Sequence, residues 1–224
     1  MNTALFQFLR ELRENNHREW FQANKKRYDT LLGEYAGQLQ QLIDRIAAFD
    51  PEIAGLEAKS CIFRIYRDLR FSPDKTPYKT HLGAYIAACG GKASDYAGYY
   101  VHLEPDNAFL SGGVWCPPPP LLKKLRQDIY DSMDEFLDII ENKRFKAVYP
   151  ALEGGMLKRV PAGFPADYIY GYILKQKDFV VSSAKPDAFF CTENWMERAA
   201  EDFKLLQPFN RFLNYSVGEL YGKA

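Results

Sequence analysis

Apolar positions in the first part of the chain recur at helical spacing. Leu5, Phe8, Leu9 and Leu12 form one stripe, which Asn15-Asn16 interrupts. Asn16 followed by Glu19 has the Asn-x-x-Glu form of a capping box and predicts a second helix running to about Phe49. Trp20, Phe21, Tyr28, Leu31, Tyr35, Leu39, Leu42 and Ile46 supply its apolar side, and Asp50-Pro51 stops it. After Lys59 the pattern becomes β-branched and aromatic. Residues 61–66, 81–89, 96–103 and 108–115 read as strands, separated by Gly90-Gly91 and by Glu104-Pro105-Asp106-Asn107. Loops this short imply antiparallel pairing, because parallel neighbours need a long crossover. Pro117 to Pro120 end the run and feed helices over about 121–130 and 133–141. A short strand near 156–160, a Tyr-rich turn or helix near 168–174 and a strand near 179–182 follow. A closing helix runs from about Glu193 to beyond Leu213. Helices, then strands, then helices predict an α+β fold, a mainly antiparallel sheet packed against N-terminal and C-terminal helices. With no repeat and no linker, residues 1–224 read as a single domain.

Composition narrows the function classes. The 224 residues carry 29 Lys+Arg against 29 Asp+Glu, which argues against a generic polyanion binder. Hydrophobic residues at 47% exclude wholesale disorder. The first twenty residues hold no apolar run of signal-peptide type, and no stretch is long enough to span a membrane. Cys61, Cys89, Cys116 and Cys191 form no Cys-x-x-Cys pair and read as reduced thiols, so a cytoplasmic location without a membrane partner is expected.

The charged chemistry concentrates in residues 59–81. Lys59, Arg64, Arg67, Arg70, Lys75 and Lys79 face only Asp68 and Asp74 there, a surplus of four positive charges in a neutral chain, and His81 closes the stretch. Its core, from Arg64 to Tyr78, has the form Arg-x-x-Arg-Asp-x-Arg-Phe-x-x-Asp-Lys-x-x-Tyr. Guanidinium forks match carboxylate and phosphate oxygens, and Pro73 and Pro77 stiffen the loop that presents them. Strand alternation places Phe63, Ile65, Arg67, Leu69 and Phe71 on one face, and Arg64, Tyr66, Asp68 and Arg70 on the other. Arg67 among apolar neighbours needs a carboxylate, Asp74 before Asp68, and is expected to be mostly buried.

Two readings follow: an internal Arg/Asp network that pins the loop, or a site for a small phosphate- or carboxylate-bearing ligand. The charge surplus favours the ligand. In that reading Arg64, Arg67, Arg70, Lys75 and Lys79 bind the anion while Asp68 and Asp74 orient arginines. Tyr78 and His81 donate hydrogen bonds or protons, with His81 the preferred general acid/base. His102, one strand further on, is placed to face the same pocket, although beside Tyr100 it reads most simply as a structural histidine. An enzymatic version is phosphoryl or acyl transfer or hydrolysis, but no activated nucleophile is visible.

Other motifs fall short. Gly90-Gly91-Lys92 lacks the first glycine and the Ser/Thr of a phosphate loop, and no Gly-x-Ser-x-Gly elbow occurs. His17, His81 and His102 lie outside the usual ligand spacings, so no metal or cofactor is expected; a metal site would need assembly from distant strands. A nucleic-acid or nucleotide module using the basic loop with tyrosines, and an interaction scaffold with a purely structural motif, remain the alternatives.

The 64–78 motif resembles the signature of the bacterial family labelled domain of unknown function 2461, which also occurs inside some longer fungal proteins. The resemblance extends to Asn15-Asn16, Trp20-Phe21, Asn24-Lys25 and Tyr28, to the run from Tyr99 to Pro105, and to Gly112-Gly113-Val114-Trp115. It continues through Leu125-Arg126, Pro161, Gly163-Phe164 and Asp167, and departs from the pattern around Tyr168-Ile169. It implies a site at the motif and carries no mechanism.

Overall fold

The computed structural model describes residues 2–70 and 72–222. In chain order its elements begin with helices α1 (Thr3–Glu14), α2 (Arg18–Ala23), α3 (Lys25–Ala47) and α4 (Ala58–Cys61). Strands β1 (Leu82–Ile86), β2 (Gly98–Leu103) and β3 (Phe109–Val114) follow, then helices α5 (Pro119–Asp131), α6 (Met133–Ile140) and α7 (Lys143–Val148). The chain continues through β4 (Leu152–Glu153), α8 (Gly171–Leu174), β5 (Phe179–Ala184), α9 (Asp187–Cys191) and the long helix α10 (Trp195–Tyr221). The sheet is antiparallel with strand order β1-β2-β3-β5-β4, which bears out the α+β expectation. No helix among the described residues is long and apolar enough to cross a membrane.

Two compact units divide the chain: Met1–Lys92, Tyr100–Leu110 and Ala184–Lys204 in the first, Ala93–Tyr99, Ser111–Ser183 and Leu205–Ala224 in the second. In the first, the predicted stripe of α1 is buried, as are Phe21, Tyr35, Leu39, Leu42 and Ile46. Trp195 is fully enclosed, and its indole Nε1 donates to Gln38 Oε1 at 2.8 Å, so the buried ring leaves no orphan donor. In the second unit, Phe136 packs against Phe179, Phe209 and Phe212, and Leu121, Leu125 and Ile129 bury one side of α5.

The helix expected from Asn16 to Phe49 is two helices broken at Asn24. The Asn24 side chain donates to Trp20 O at 2.9 Å and so competes with the helical ladder for that carbonyl. The expected cap also shifts by one residue. His17 caps α2, its Nδ1 accepting from Trp20 N, whereas Asn16 is used elsewhere: its Oδ1 accepts from Tyr78 N at 3.0 Å and its Nδ2 donates to Tyr78 O at 2.9 Å. The short strand expected near 156–160 is likewise displaced. Pairing with β5 falls at Leu152 and Glu153, and Met156 makes only a single bridge to Gln176.

The strand expected over 61–66 is the main correction. Cys61 ends α4, and residues 62–70 and 72–84 form the two sides of an irregular antiparallel hairpin with single bridges Ile62 to Ala84 and Tyr66 to Tyr78. Around the second bridge, Arg67 N donates to Pro77 O at 3.0 Å and Lys79 N to Ile65 O at 2.8 Å; Pro77 has no N–H to return the bond. At the hairpin base Phe63 N donates to Gly83 O at 2.9 Å. Phe63 thus opposes Gly83 while Ile65 opposes Lys79, so Arg64 alone stands against Thr80, His81 and Leu82. A bulge of this kind interrupts the ladder and re-aims side chains.

Glycine positions give a direct test of the packing. Gly113 has φ +109°, and a Cβ there would lie 2.0 Å from Phe179 O; Gly163, at φ +99°, has nothing within 4 Å of a built Cβ. Gly113→Ala should therefore cost roughly 2–5 kcal/mol, backbone strain plus overpacking, against about 1–2 kcal/mol for Gly163→Ala. Urea unfolding midpoints of the two variants check the difference.

Candidate functional site

The bulge turns His81 toward β2, where Tyr100 and His102, two apart, share a face and Glu104 follows just past the strand's end. The His81 and His102 rings lie with centroids 4.4 Å apart and planes 32° from parallel, and Phe109 of β3 stacks on the other side of His102 at 4.4 Å. His102 Nδ1 is 2.9 Å from the Tyr100 hydroxyl, and its Nε2 is 3.3 Å from Glu104 Oε2. Thr80 Oγ1 donates to Glu104 Oε1 at 3.0 Å, and Asn107 Nδ2 donates to Glu104 Oε2 at 2.7 Å. One ligand atom from each of His81, His102 and Glu104 lies within 4.8 Å of the others. Among the described residues the His81 ring has no hydrogen-bond partner.

Electrostatics follow from the burial. Loss of solvent, with His102 next to it, holds the His81 imidazole down at about 4, so the ring is neutral at pH 7. Burial also lowers His102, against the pull of Glu104. Glu104 lies below its ordinary range although burial opposes this, because Asn107, His102 and Thr80 hydrogen-bond its charged form. Lys79 is within electrostatic reach of both Arg64 and His81; burial first, then the Arg64 charge, lowers its ammonium pKa. The Lys79 ammonium sits 5.5 Å from the centroid of the Phe63 ring.

The remaining predicted residues fall into two other places. At the hairpin tip, Arg67 pairs with Asp74 as expected, and also donates to Thr76 Oγ1 and, at 3.3 Å, to Ser72 Oγ. Its side chain is 25% exposed, so it is half-buried rather than mostly buried, because the tip that carries its partners lies open to water. Asp68 pairs with Arg70 at 2.6 Å, both well exposed, and Lys75 Nζ donates to Leu69 O at 3.1 Å. Arg64, Tyr66, Asp68 and Arg70 are exposed and Ile65 is buried, the alternation read from the sequence; Phe71, placed on the inner face by that reading, lies outside the described residues. Tyr78 enters the core. It is 2% exposed, stacks on Phe21 at 4.0 Å, and lies on the opposite face of its strand from Lys79. An open cleft of about 540 Å³ runs between the start of α2 and the tip, lined by His17, Arg18 and Glu19 on one side and Asp74, Lys75 and Pro77 on the other. Its charges are mixed, and His17 Nδ1 is already taken up by the Trp20 amide.

Sequence reasoning joined His81 to His102 but missed Glu104, Tyr100, Thr80 and Asn107. One signal was present: Tyr100-x-His102-x-Glu104 on a strand puts three polar side chains on one face, and such a row has to be satisfied by its neighbours.

Comparison with known proteins identifies the family of the chain. A curated relative, the cytochrome P450 monooxygenase bfoB of Aspergillus brasiliensis, is 28% identical over 112 residues, covering 41% of this chain. The chain matches 23% of that protein's length. No solved structure matches the chain. The family model described as conserved hypothetical protein (DUF2461) matches residues 4–212, which include the whole hairpin and the strands that meet it, and the chain belongs to this family.

Proposed function

We propose that the chain binds a small phosphate- or carboxylate-bearing ligand at the base of the hairpin, where Arg64 and Lys79 hold the anion beside His81. The observation that carries this reading is the state of the motif's cations. Arg67 and Arg70 are engaged by Asp74 and Asp68, and Lys75 by a backbone carbonyl. Arg64 has no ion-pair or hydrogen-bond partner among the described residues, and the partner of Lys79 is an aromatic face. Two cations within electrostatic reach of each other, one of them half-buried, are stabilised when an anion binds near both. A neutral His81 beside that anion is fitted to accept a proton, the role of a general base. The reading assigns no reaction beyond this. No disulfide joins the four cysteines among the described residues, which supports a reducing, cytoplasmic setting.

The pairing of Arg67 and Arg70 favours an architectural role for the tip, so the ligand reading narrows to Arg64, Lys79 and the histidines. A nucleic-acid partner gains no such support, because the cations left over are too few for a long polyanion.

Inorganic phosphate tests the ligand reading. At about a hundredfold excess over its dissociation constant it should raise the melting temperature of the wild type by roughly 5–10 °C. Arg64→Ala and Lys79→Met should abolish that protection with little change in the unliganded midpoint, while Arg70→Ala should retain it. Phosphate, acetate and sulfate all failing to shift the wild type would sink the proposal.

The tip gives a separate expectation. Arg67→Ala should cost about 1.5–3 kcal/mol in urea unfolding, and Arg64→Ala less than about 0.5. The Thr76 amide, then the Arg67 guanidinium, hold the Asp74 carboxyl at about 2, below its ordinary 3.8. A carboxyl with a depressed pKa stabilises the fold above its unfolded value and loses that contribution as pH falls through the folded one. Asp74→Asn should therefore melt below the wild type at pH 7, with the gap closing between about pH 4 and pH 2.

A further inference from the structure

We propose that His81, His102 and Glu104 form a binding site for one divalent transition-metal ion. It shares the histidines with the anion reading but uses none of the cations that reading invokes, and an ion on His81 takes the lone pair that the general-base role would need. The donor set is two imidazoles and one carboxylate, the combination that suits zinc and its first-row neighbours and leaves coordination positions open for water or a ligand. The sequence spacing hides it, since His81 stands 21 residues before His102. The sheet brings the three together, with ligand atoms inside 4.8 Å of one another. Two ligands about 2.1 Å from a common ion stand at most about 4.2 Å apart, so closure asks only for small rotamer adjustments.

Two further features belong to a metal centre more than to a buried polar cluster. The outer partners are already in place: the Tyr100 hydroxyl at His102 Nδ1, and Thr80 and Asn107 on the Glu104 carboxylate. In the neutral His102 ring Nε2–H donates to Glu104 and Nδ1 accepts from the Tyr100 hydroxyl; moving the ring proton to Nδ1, with the Tyr100 oxygen as acceptor, frees the Nε2 lone pair for an ion on the side where Glu104 lies. The second feature is His81. The hairpin bulge delivers this half-buried ring to the cluster, where it has no hydrogen-bond partner among the described residues and its ring nitrogens stay open to an ion. An ion supplies the missing partner.

The test uses the full chain, stripped with EDTA and titrated with zinc chloride by calorimetry in phosphate-free buffer, with cobalt(II) absorption as a parallel readout. One equivalent of zinc should bind. His81→Asn and Glu104→Gln, each checked for native circular dichroism, should weaken it at least about 100-fold, and Tyr100→Phe about 10–100-fold. Lys79→Met should tighten it several-fold, because a nearby ammonium opposes the ion. A Cys89→Ser/Cys116→Ser double variant should bind as the wild type does, and the cobalt complex should lack thiolate charge-transfer bands. Substoichiometric zinc, binding indifferent to His81→Asn and Glu104→Gln, or loss in the cysteine double variant would overturn the proposal. The cobalt spectrum of the wild type decides the ligand type even where a variant fails to fold.

Discussion

The arrangement of the site depends on a register shift inside one hairpin. Where Phe63 opposes Gly83 and Ile65 opposes Lys79, a single residue, Arg64, faces three. A regular ladder would fix the side-chain parity of residues 79–83 from that of 63–67 and send each polar side chain to a set face. The bulge adds two residues, so the parity of the flanks is kept while residues 80–82 inside it are released from the ladder. It lets Lys79 stay over Phe63 while both Thr80 and His81 reach the β2 row. The shift is held at Tyr78 by two contacts: the Asn16 side chain clasps its backbone, and its ring is stacked on Phe21. Losing that clasp would free the hairpin to slip, and a slip of one residue exchanges core and solvent faces.

Burial then fixes the chemical character of the cluster. His102 lies between His81 and Phe109, with apolar or neutral rings on both sides, and this environment keeps both imidazoles uncharged at neutral pH. Glu104 stays ionised in the same surroundings because three neighbours hydrogen-bond its charged form. Neutral rings and an ionised carboxylate close together are a donor set, one that can accept a proton or an ion. Had burial prevailed at Glu104 as it does at the histidines, the cluster would be neutral throughout and poorly suited to either task.

Much of the fold was legible in the sequence because it rests on local periodicity. The stripe in α1, the strands β1 to β3 with their short connections, the proline entry to α5 and the closing helix all follow from spacing and turn chemistry. The alternation that exposes Arg64 and Arg70 and turns Arg67 toward Asp74 was legible for the same reason. What escaped is what long-range hydrogen bonding decides. Asn16 has the sequence of a helix cap but is recruited by the backbone 62 residues away, and residues 61–66 have strand propensity but lack a partner in register. Glu104 was read as part of a turn, since nothing near it in sequence shows that Thr80, His102 and Asn107 converge on it.

The charge surplus that marked the motif resolves in the same way. Counted along the sequence, six cations against two acids suggest one basic pocket. In space the tip pairs Arg67 with Asp74 and Arg70 with Asp68 and ties Lys75 to the Leu69 carbonyl, which holds the hairpin's end in shape. Of the four charges left over, two lie at the base: Arg64, within electrostatic reach of Asp68, and Lys79, within reach of a histidine whose neighbours include the Glu104 carboxylate just past β2. An anion drawn by the two cations would lie close to a proton acceptor and to donor atoms able to hold an ion. The motif's conspicuous residues therefore build the frame, and on the readings proposed above the less conspicuous ones, His81, His102 and Glu104, would carry the chemistry.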